Sequence, residues 1–102
     1  SEMIEGIYKF HGMKMPDGSQ NQFNFTISNG EPKIGDLMFF GKRGAQNSIY
    51  HVGMVFDKEN VIEARAFDST SSFKTGEVIL RPIEKWVSYK NYVGCRSHPK
   101  LV

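Results

Sequence analysis

The sequence predicts an α+β domain in which an N-terminal helix packs on a roughly five-stranded antiparallel sheet. Two observations support this prediction. The first residues carry apolar side chains at helical spacing, and the rest of the chain holds five short apolar runs separated by turn-rich segments. There is no internal repeat and no linker-like segment. We therefore expect residues 1–102 to form a single domain.

The helix is predicted over residues 2–12, with Ser1 as its N-cap and Gly12 as its stop. Its apolar positions are Met3, Ile4, Ile7 and Tyr8. Residues 17–35 are rich in Asp, Gly, Ser, Asn and Gln, which predicts a loop with a helical turn around Gln20–Phe23.

Five β-prone runs of strand length follow. They are Leu37–Phe40, Tyr50–Phe56, Val61–Phe67, Glu77–Leu80 and Tyr92–Arg96. The short Asp57–Asn60 segment between two of them predicts a hairpin turn, and Gly41–Asn47 and Asp68–Gly76 are predicted loops. Pro82 ends one strand, and Ile83–Val87 is a predicted helical turn.

Composition narrows the class of function. Hydrophobic residues make up 39% of the chain and the formal net charge is +2, which is typical of a globular domain and compatible with an anionic partner. The basic residues form no run of the kind that binds nucleic acid, and no apolar run is long enough to span a membrane. One cysteine, Cys95, excludes an internal disulfide and is predicted to be a buried, inert thiol. The dispersed histidines lack the spacing of a zinc site, so no metal or other cofactor is implied.

His51 is the histidine with the strongest claim to chemistry. It lies in a predicted strand two residues before Gly53, and glycine within a strand often marks the close approach of another group. His11, near the end of the helix, and His98, near a frayed C-terminus, are interpreted as surface or hydrogen-bonded histidines.

Glu63 interrupts an apolar run on the next predicted strand, and the register of the hairpin decides its role. If Phe56 pairs with Asn60, Glu63 and His51 are diagonal neighbours on one face of the sheet. If Phe56 pairs with Val61 instead, Glu63 lies on the opposite face. The sequence leaves both registers open.

Four segments resemble, in order and in spacing, the NlpC/P60 family of papain-like cysteine hydrolases. They are PKIGDLMFF at Pro32–Phe40, HVGM at His51–Met54, VIEA at Val61–Ala64 and YVGCR at Tyr92–Arg96. In that family the histidine of the second motif is the catalytic base, and a polar residue in the third motif orients it. The resemblance therefore implies that His51 is the base and Glu63 its orienting group, although the family more often has His, Asn or Gln at the latter position.

The resemblance also extends to the start of the chain. Gly12–Pro16 is similar to the segment that follows the family's N-terminal helix. Counting back from it, the nucleophilic cysteine is expected immediately before Ser1, so the N-terminal part of the domain is expected to be missing. Ser1 and Glu2, at the helix N-terminus, would then supply backbone N–H groups for an oxyanion hole.

The function implied by the resemblance is a cysteine peptidase or amidase that hydrolyses peptide bonds in bacterial cell-wall peptidoglycan. The expected partner is a peptidoglycan stem peptide or a similar peptide, and the expected location is extracellular, in the cell envelope or in a phage virion. Two alternatives remain open: a papain-like acyltransferase or lipid amidase, which Glu63 also suits, and an inactive domain that binds the wall or a partner protein. The bond cleaved and the oligomeric state do not follow from the sequence.

Overall fold

The computed structural model describes residues 2–66 and 76–101. Its helices are α1 (Glu2–Phe10), α2 (Ser19–Phe25) and α3 (Ile83–Ser88). Its strands are β1 (Ile27–Ser28), β2 (Leu37–Gly41), β3 (Ile49–Val55), β4 (Asn60–Ala66), β5 (Gly76–Pro82) and β6 (Tyr92–Ser97). Short 3-10 turns follow β2 and β6. Ser1, Phe67 and most of the predicted loop Asp68–Gly76 lie outside the described residues, and Gly76 itself begins β5.

The described strands form one antiparallel sheet in the order β1-β6-β2-β3-β4-β5. The predicted fold class is therefore confirmed. The additional strand, β1, is a two-residue segment that pairs with the end of β6. Both of its residues are exposed, so it carries no apolar pattern by which the sequence would reveal it.

One face of the sheet packs against α1. The helical spacing places Ile4 and Tyr8 on its buried side, and Glu2 and Glu5 lie in the first turn, where acidic groups favour the helix dipole. This side packs with residues of α2 and of the two central strands: Phe23, Leu37, Phe39, Ile49, Val52 and Met54. The helix gives way to Gly12, whose φ of 73° is in the left-handed region that glycine adopts without strain.

The opposite face packs against α3. Because side chains alternate along a strand, the residues between those of the first cluster point to this side. They form a second cluster around the fully buried Trp86 of α3: Met38, Phe40, Val55, Val61 and Cys95. The sheet is thus covered by α1 and α2 on one face and by α3 on the other, where Trp86 lies against Gly53 of β3 and Val61 of β4.

Asp36 joins the beginning of β2 to the end of β6. Its buried carboxylate accepts hydrogen bonds from the Lys33 backbone N–H at 2.9 Å, Asn29 Nδ2 at 3.1 Å and Ser97 Oγ at 2.6 Å. A buried carboxylate requires such donors, and three of them satisfy most of its lone pairs. The Gly-Asp pair of the sequence thus fixes the entry of the chain into the sheet.

Cys95 and His98 are both buried. Burial, with the nearby Asp36 carboxylate, raises the pKa of the Cys95 thiol to about 12, which keeps it in the unreactive thiol form. His98 contacts the Lys14 carbonyl oxygen through Nε2 at 2.7 Å, accepts the Lys100 N–H at Nδ1 and stacks on Tyr8. The interpretation of His98 as a hydrogen-bonded histidine is confirmed, and these contacts join the segment around His98 to Lys14 and Tyr8.

The turn between β3 and β4 is held by Asp57. Its Oδ1 accepts the backbone N–H groups of Glu59 at 2.8 Å and Asn60 at 2.7 Å, and the Asn60 side chain donates to the same carboxylate. These bonds, that from Glu59 foremost, lower the pKa of Asp57. The predicted hairpin turn at Asp57–Asn60 is confirmed.

Candidate active site

His51 lies near the beginning of β3 and projects onto the α3 face of the sheet. Its ring stacks on Trp86, with centroids 5.7 Å apart and planes at 24°, and lies 6.1 Å from the Phe40 ring. About a quarter of the side chain is exposed. The imidazole is therefore supported by aromatic rings while one edge remains open to solvent.

The register of the β3–β4 hairpin is the one that unites His51 with Glu63. Met54 pairs with Ile62 and Val55 with Val61, and the Phe56 N–H donates to the Asn60 carbonyl oxygen. Continuing this register puts Gly53 opposite Glu63, so that Glu63 is diagonal to His51 on the same face. The first of the two registers left open by the sequence is thus the one adopted.

The two side chains are in direct contact. His51 Nε2 lies 2.8 Å from Glu63 Oε1, and the Glu63 side chain is only 2% exposed. A carboxylate accepts but does not donate, so neutral His51 carries its proton on Nε2. The other nitrogen, Nδ1, then presents a lone pair, and no described residue donates to it. A histidine in this state is equipped to take a proton from a nearby group.

Arg81 of β5 contacts the second oxygen of Glu63. Its Nε lies 2.8 Å from Oε2, but the N–H direction falls outside hydrogen-bond geometry, so the contact is an ion pair without an aligned donor. The Arg81 side chain is 23% exposed. The site is therefore a row of three polar side chains, His51, Glu63 and Arg81, on three adjacent strands.

Because Gly53 has no side chain, the Trp86 indole can lie against β3 and stack on the His51 ring. A Cβ atom at this position would lie 2.6 Å from Val61 Cγ1 and 2.8 Å from Trp86 Cη2. Both distances are far below van der Waals contact. The close approach that the sequence suggested for this glycine is that of the Trp86 indole.

Of the two predicted helix-terminus residues, the structure describes Glu2 alone, and it shows no contact between Glu2 and His51. Ser1 lies outside the described residues, and Glu2 is exposed at the start of α1. The buried side of α1 packs on the face of Val52 and Met54, whereas His51 contacts the cluster on the other face. At the far end of α1, the Tyr8 hydroxyl donates to the Gly35 carbonyl oxygen, and Gly35 N–H donates to Val55 at the end of β3. The start of the helix therefore points away from the Val55 end of β3.

Sequence reasoning missed Arg81 and Trp86. The strand that carries Arg81 is separated from β4 by a long segment, so its register could not be deduced, and Trp86 follows in what reads as a short helical turn. The one available signal was Gly53, whose missing side chain indicates a bulky neighbour on the His51 face.

The described residues meet the requirements of neither a metal site nor a membrane-spanning helix. Residues 2–66 and 76–101 contain no group of three or more His, Cys, Asp or Glu side chains arranged to hold a metal ion. In the same part of the chain, no helix has the length and apolar character needed to cross a membrane.

A helix that precedes an antiparallel sheet, with a histidine and its carboxylate partner on adjacent strands, defines an α+β domain with a candidate His–Glu site. A model of the NlpC/P60 family matches residues 1–96, and the chain belongs to that family. Members of this family are generally cysteine peptidases or amidases. No curated protein gives a significant match.

Two solved structures share the fold. One is an NlpC/P60 family protein from Bacillus cereus ATCC 10987, with a TM-score of 0.68, 27% identity and 93% of this chain covered. The other, from Staphylococcus aureus subsp. aureus Mu50, is described as similar to lipoprotein, NLP/P60 family, with a TM-score of 0.68, 19% identity and 96% covered. The chain corresponds to only 30% and 31% of the lengths of those proteins.

Proposed function

We propose that this chain is the base-bearing part of a cysteine peptidase or amidase domain that hydrolyses peptide bonds of bacterial peptidoglycan. The observation that carries the proposal is the 2.8 Å contact between His51 Nε2 and the buried Glu63 carboxylate, within a domain of the NlpC/P60 family. This contact fixes the imidazole with Nδ1 as the proton acceptor, which is the arrangement a thiol nucleophile requires.

The proposed nucleophile is a cysteine immediately before Ser1, at the N-terminus of α1. There the helix dipole and unpaired N–H groups favour the thiolate. The orientation of α1, which begins away from the Val55 end of β3, supports an approach toward the His51 end. The backbone of Ser1 and Glu2 is the proposed oxyanion hole. Cys95 is unsuited to the role because it is buried and its pKa is raised to about 12.

In the proposed reaction, His51 Nδ1 takes the thiol proton and the thiolate attacks the peptide carbonyl carbon. The C–N bond breaks as the imidazolium returns the proton to the departing amine, leaving a thioester. Nδ1 then takes a proton from water, the resulting hydroxide attacks the thioester, and the C–S bond breaks as the imidazolium returns its proton to the leaving sulfur. Glu63 stabilises the imidazolium in both steps without taking up its proton.

The proposed substrate and location rest on family membership and charge. A net charge of +2 favours contact with an anionic wall polymer. The lipoprotein-like description of the Staphylococcus aureus neighbour agrees with a protein of the cell envelope or one that is secreted. We therefore propose a stem peptide of peptidoglycan as substrate and the cell envelope, the exterior of the cell or a phage virion as location.

The test compares the 102-residue chain with the same chain carrying one cysteine before Ser1. Each is incubated with purified peptidoglycan, and the released fragments are identified by liquid chromatography and mass spectrometry. We expect peptide release by the cysteine-bearing chain alone. His51→Ala should reduce its rate by about 100-fold or more, the scale of a lost general base.

The matched control is His11→Ala, which removes an exposed histidine at the end of α1 and should leave the rate unchanged. Intact peptidoglycan after treatment with a folded, cysteine-bearing chain would contradict the proposal. So would equal rates with and without His51. A parallel assay with an acyl ester distinguishes a lipid amidase or acyltransferase, since release from that substrate alone would assign the site to acyl chains.

The second candidate function is binding of wall peptide without cleavage. It is favoured by the state of Cys95, which leaves the described residues with a base but no reactive thiol. Co-sedimentation of the 102-residue chain with peptidoglycan tests it. Retention of the chain in the pellet, together with a cysteine-bearing chain that releases nothing, would favour binding over hydrolysis.

A further inference from the structure

We propose that Arg81 is a positioning residue that holds the buried Glu63 carboxylate in place, aimed at His51. The inference deepens the proposed function and rests on it for its catalytic meaning. The geometric part, that Arg81 controls the state of His51 through Glu63, stands independently of any reaction.

The sheet itself builds the row. Val61 pairs with Arg81, so Glu63, two residues further along β4, is diagonal to Arg81 on the same face. The same diagonal relation joins Glu63 to His51 across the hairpin. Each oxygen of the carboxylate therefore has one partner, His51 Nε2 at 2.8 Å and Arg81 Nε at 2.8 Å.

The burial of the Glu63 carboxylate is the reason that it needs the positive charge of Arg81. Removing a carboxylate from water costs several kcal/mol unless an opposite charge compensates. Glu63 is 2% exposed, and its Oε2 has no aligned hydrogen-bond donor among the described residues. His51 is neutral for part of the proposed cycle and supplies no permanent charge. Among the described contacts of Glu63, the permanent positive charge is that of the Arg81 guanidinium.

Arg81 is held in place on its other side. Its Nη1 donates to the Tyr89 hydroxyl at 3.3 Å, and the guanidinium carbon lies 5.9 Å from the centre of the Tyr89 ring. Tyr89 directly follows α3, the helix whose Trp86 supports the His51 ring. The short segment from Trp86 to Tyr89 therefore contacts both His51 and Arg81, the two ends of the row.

Without Arg81, the buried carboxylate loses its compensating charge and is expected to turn toward water. This movement removes the acceptor that holds the proton of His51 on Nε2. Neutral His51 then distributes over both tautomers, and part of the population loses the Nδ1 lone pair. The expected consequence is fewer molecules in the state that accepts a proton from a thiol.

The experiment measures the His51 tautomer in the 102-residue chain by long-range proton–nitrogen NMR at alkaline pH, where imidazoles are neutral. Wild type should show the Nε2–H form. Arg81→Met, similar in length but uncharged, should show a mixture of both forms. Arg81→Lys should keep more of the Nε2–H form, because it retains the charge while losing the planar guanidinium.

Arg43→Met is the matched control, since Arg43 is exposed in the turn after β2. It should leave the His51 spectrum unchanged. If Arg81→Met retains the wild-type tautomer, the inference is wrong. Should Arg81→Met fail to fold, Arg81→Gln decides, because it also removes the charge, and an unchanged His51 spectrum in that variant would equally contradict the inference.

A catalytic measurement separates this inference from the proposed function. In the cysteine-bearing chain, Arg81→Met should lower kcat by about tenfold or more with KM unchanged, the scale found for groups that orient metal-binding histidines. If the tautomer shifts but no variant hydrolyses peptidoglycan, the proposed function fails and the positioning role stands. If hydrolysis occurs and Arg81→Met changes neither tautomer nor kcat, the positioning role fails alone.

Discussion

Gly53 shows how one missing side chain shapes the site. The indole of Trp86 occupies the space where a Cβ would be, and the same indole supports the His51 ring. The geometry of the proposed base, His51, therefore depends on a residue that has no side chain. Any side chain at position 53 displaces either Trp86 or Val61 of the neighbouring strand β4.

Gly53→Ala should destabilise the domain, because the new methyl group meets Val61 and Trp86 at 2.6 and 2.8 Å. We expect a loss of about 1–3 kcal/mol in the free energy of unfolding, as for other overpacked cores, measured by urea denaturation. The control is Gly6→Ala. Gly6 is exposed within α1, and a methyl group there would meet nothing within 4 Å. Because alanine favours the helix more than glycine does, Gly6→Ala should raise the free energy of unfolding by about 0.5–1 kcal/mol. Equal stability of wild type and Gly53→Ala would contradict the assigned packing.

At the scale of elements, the order of helices and strands could be predicted because each apolar run has strand length and its own turn signals. Helix α2 was predicted as a single turn but spans Ser19–Phe25. Its sequence is mostly polar, and tertiary contacts complete it: Gln20 accepts the Ile49 N–H through Oε1 and donates to the Gln46 carbonyl oxygen through Nε2. Helix propensity, which depends on local sequence alone, cannot predict such tertiary contacts.

Asp36→Asn should weaken the junction between β2 and β6. The amide keeps the shape of the carboxylate but loses its charge. Its NH₂ group can face only the Ser97 hydroxyl, which must turn to accept it, while the amide oxygen keeps the bond from the Lys33 N–H. We expect a loss of about 1–3 kcal/mol in the free energy of unfolding, from the weakened hydrogen bonds to a formerly charged group.

Urea denaturation checks this loss, and hydrogen exchange should locate the increased opening at β6. Glu31→Gln, a change at an exposed carboxylate in the same region, serves as the control and should be neutral. Unchanged stability of Asp36→Asn would show that the charge of Asp36 is unimportant to the fold.

At the scale of the whole molecule, stability should fall in alkaline solution. Burial raises the pKa of Tyr8, Tyr92 and Cys95 each to about 12, from ordinary values of 10.0, 10.0 and 9.0. All three are neutral when protonated, and they ionise first in the unfolded chain. Their contribution is therefore complete below about pH 9 and is lost progressively between about pH 9 and 12.

The urea midpoint measured between about pH 7 and 11 checks this expectation. It should be lower at each step above about pH 9, and Cys95→Ala should show a shallower decline between about pH 9 and 10 than wild type. A midpoint that stays constant over the whole range would mean that these groups are exposed to solvent in the native state.

The candidate site could be predicted only as far as local sequence reaches. His51 and Glu63 lie on strands joined by a short turn, so only two registers need to be considered for the two side chains. The family resemblance then suggests their roles. Arg81 is brought to Glu63 by a pairing whose connection is long, and no rule of turn geometry fixes it. The residue that supports the His–Glu pair, Arg81, therefore could not be predicted from local sequence patterns.

The turn at Asp57–Asn60 has a consequence for how this domain tolerates change during evolution. Inserting or deleting one residue there would rotate β4 by one position relative to β3 and carry the carboxylate to the side of the sheet that α1 covers. The histidine would keep its place and lose its partner. Length changes in this turn are therefore compatible with the site only in steps of two residues, whereas the loops elsewhere are under no such parity constraint from the His–Glu pair.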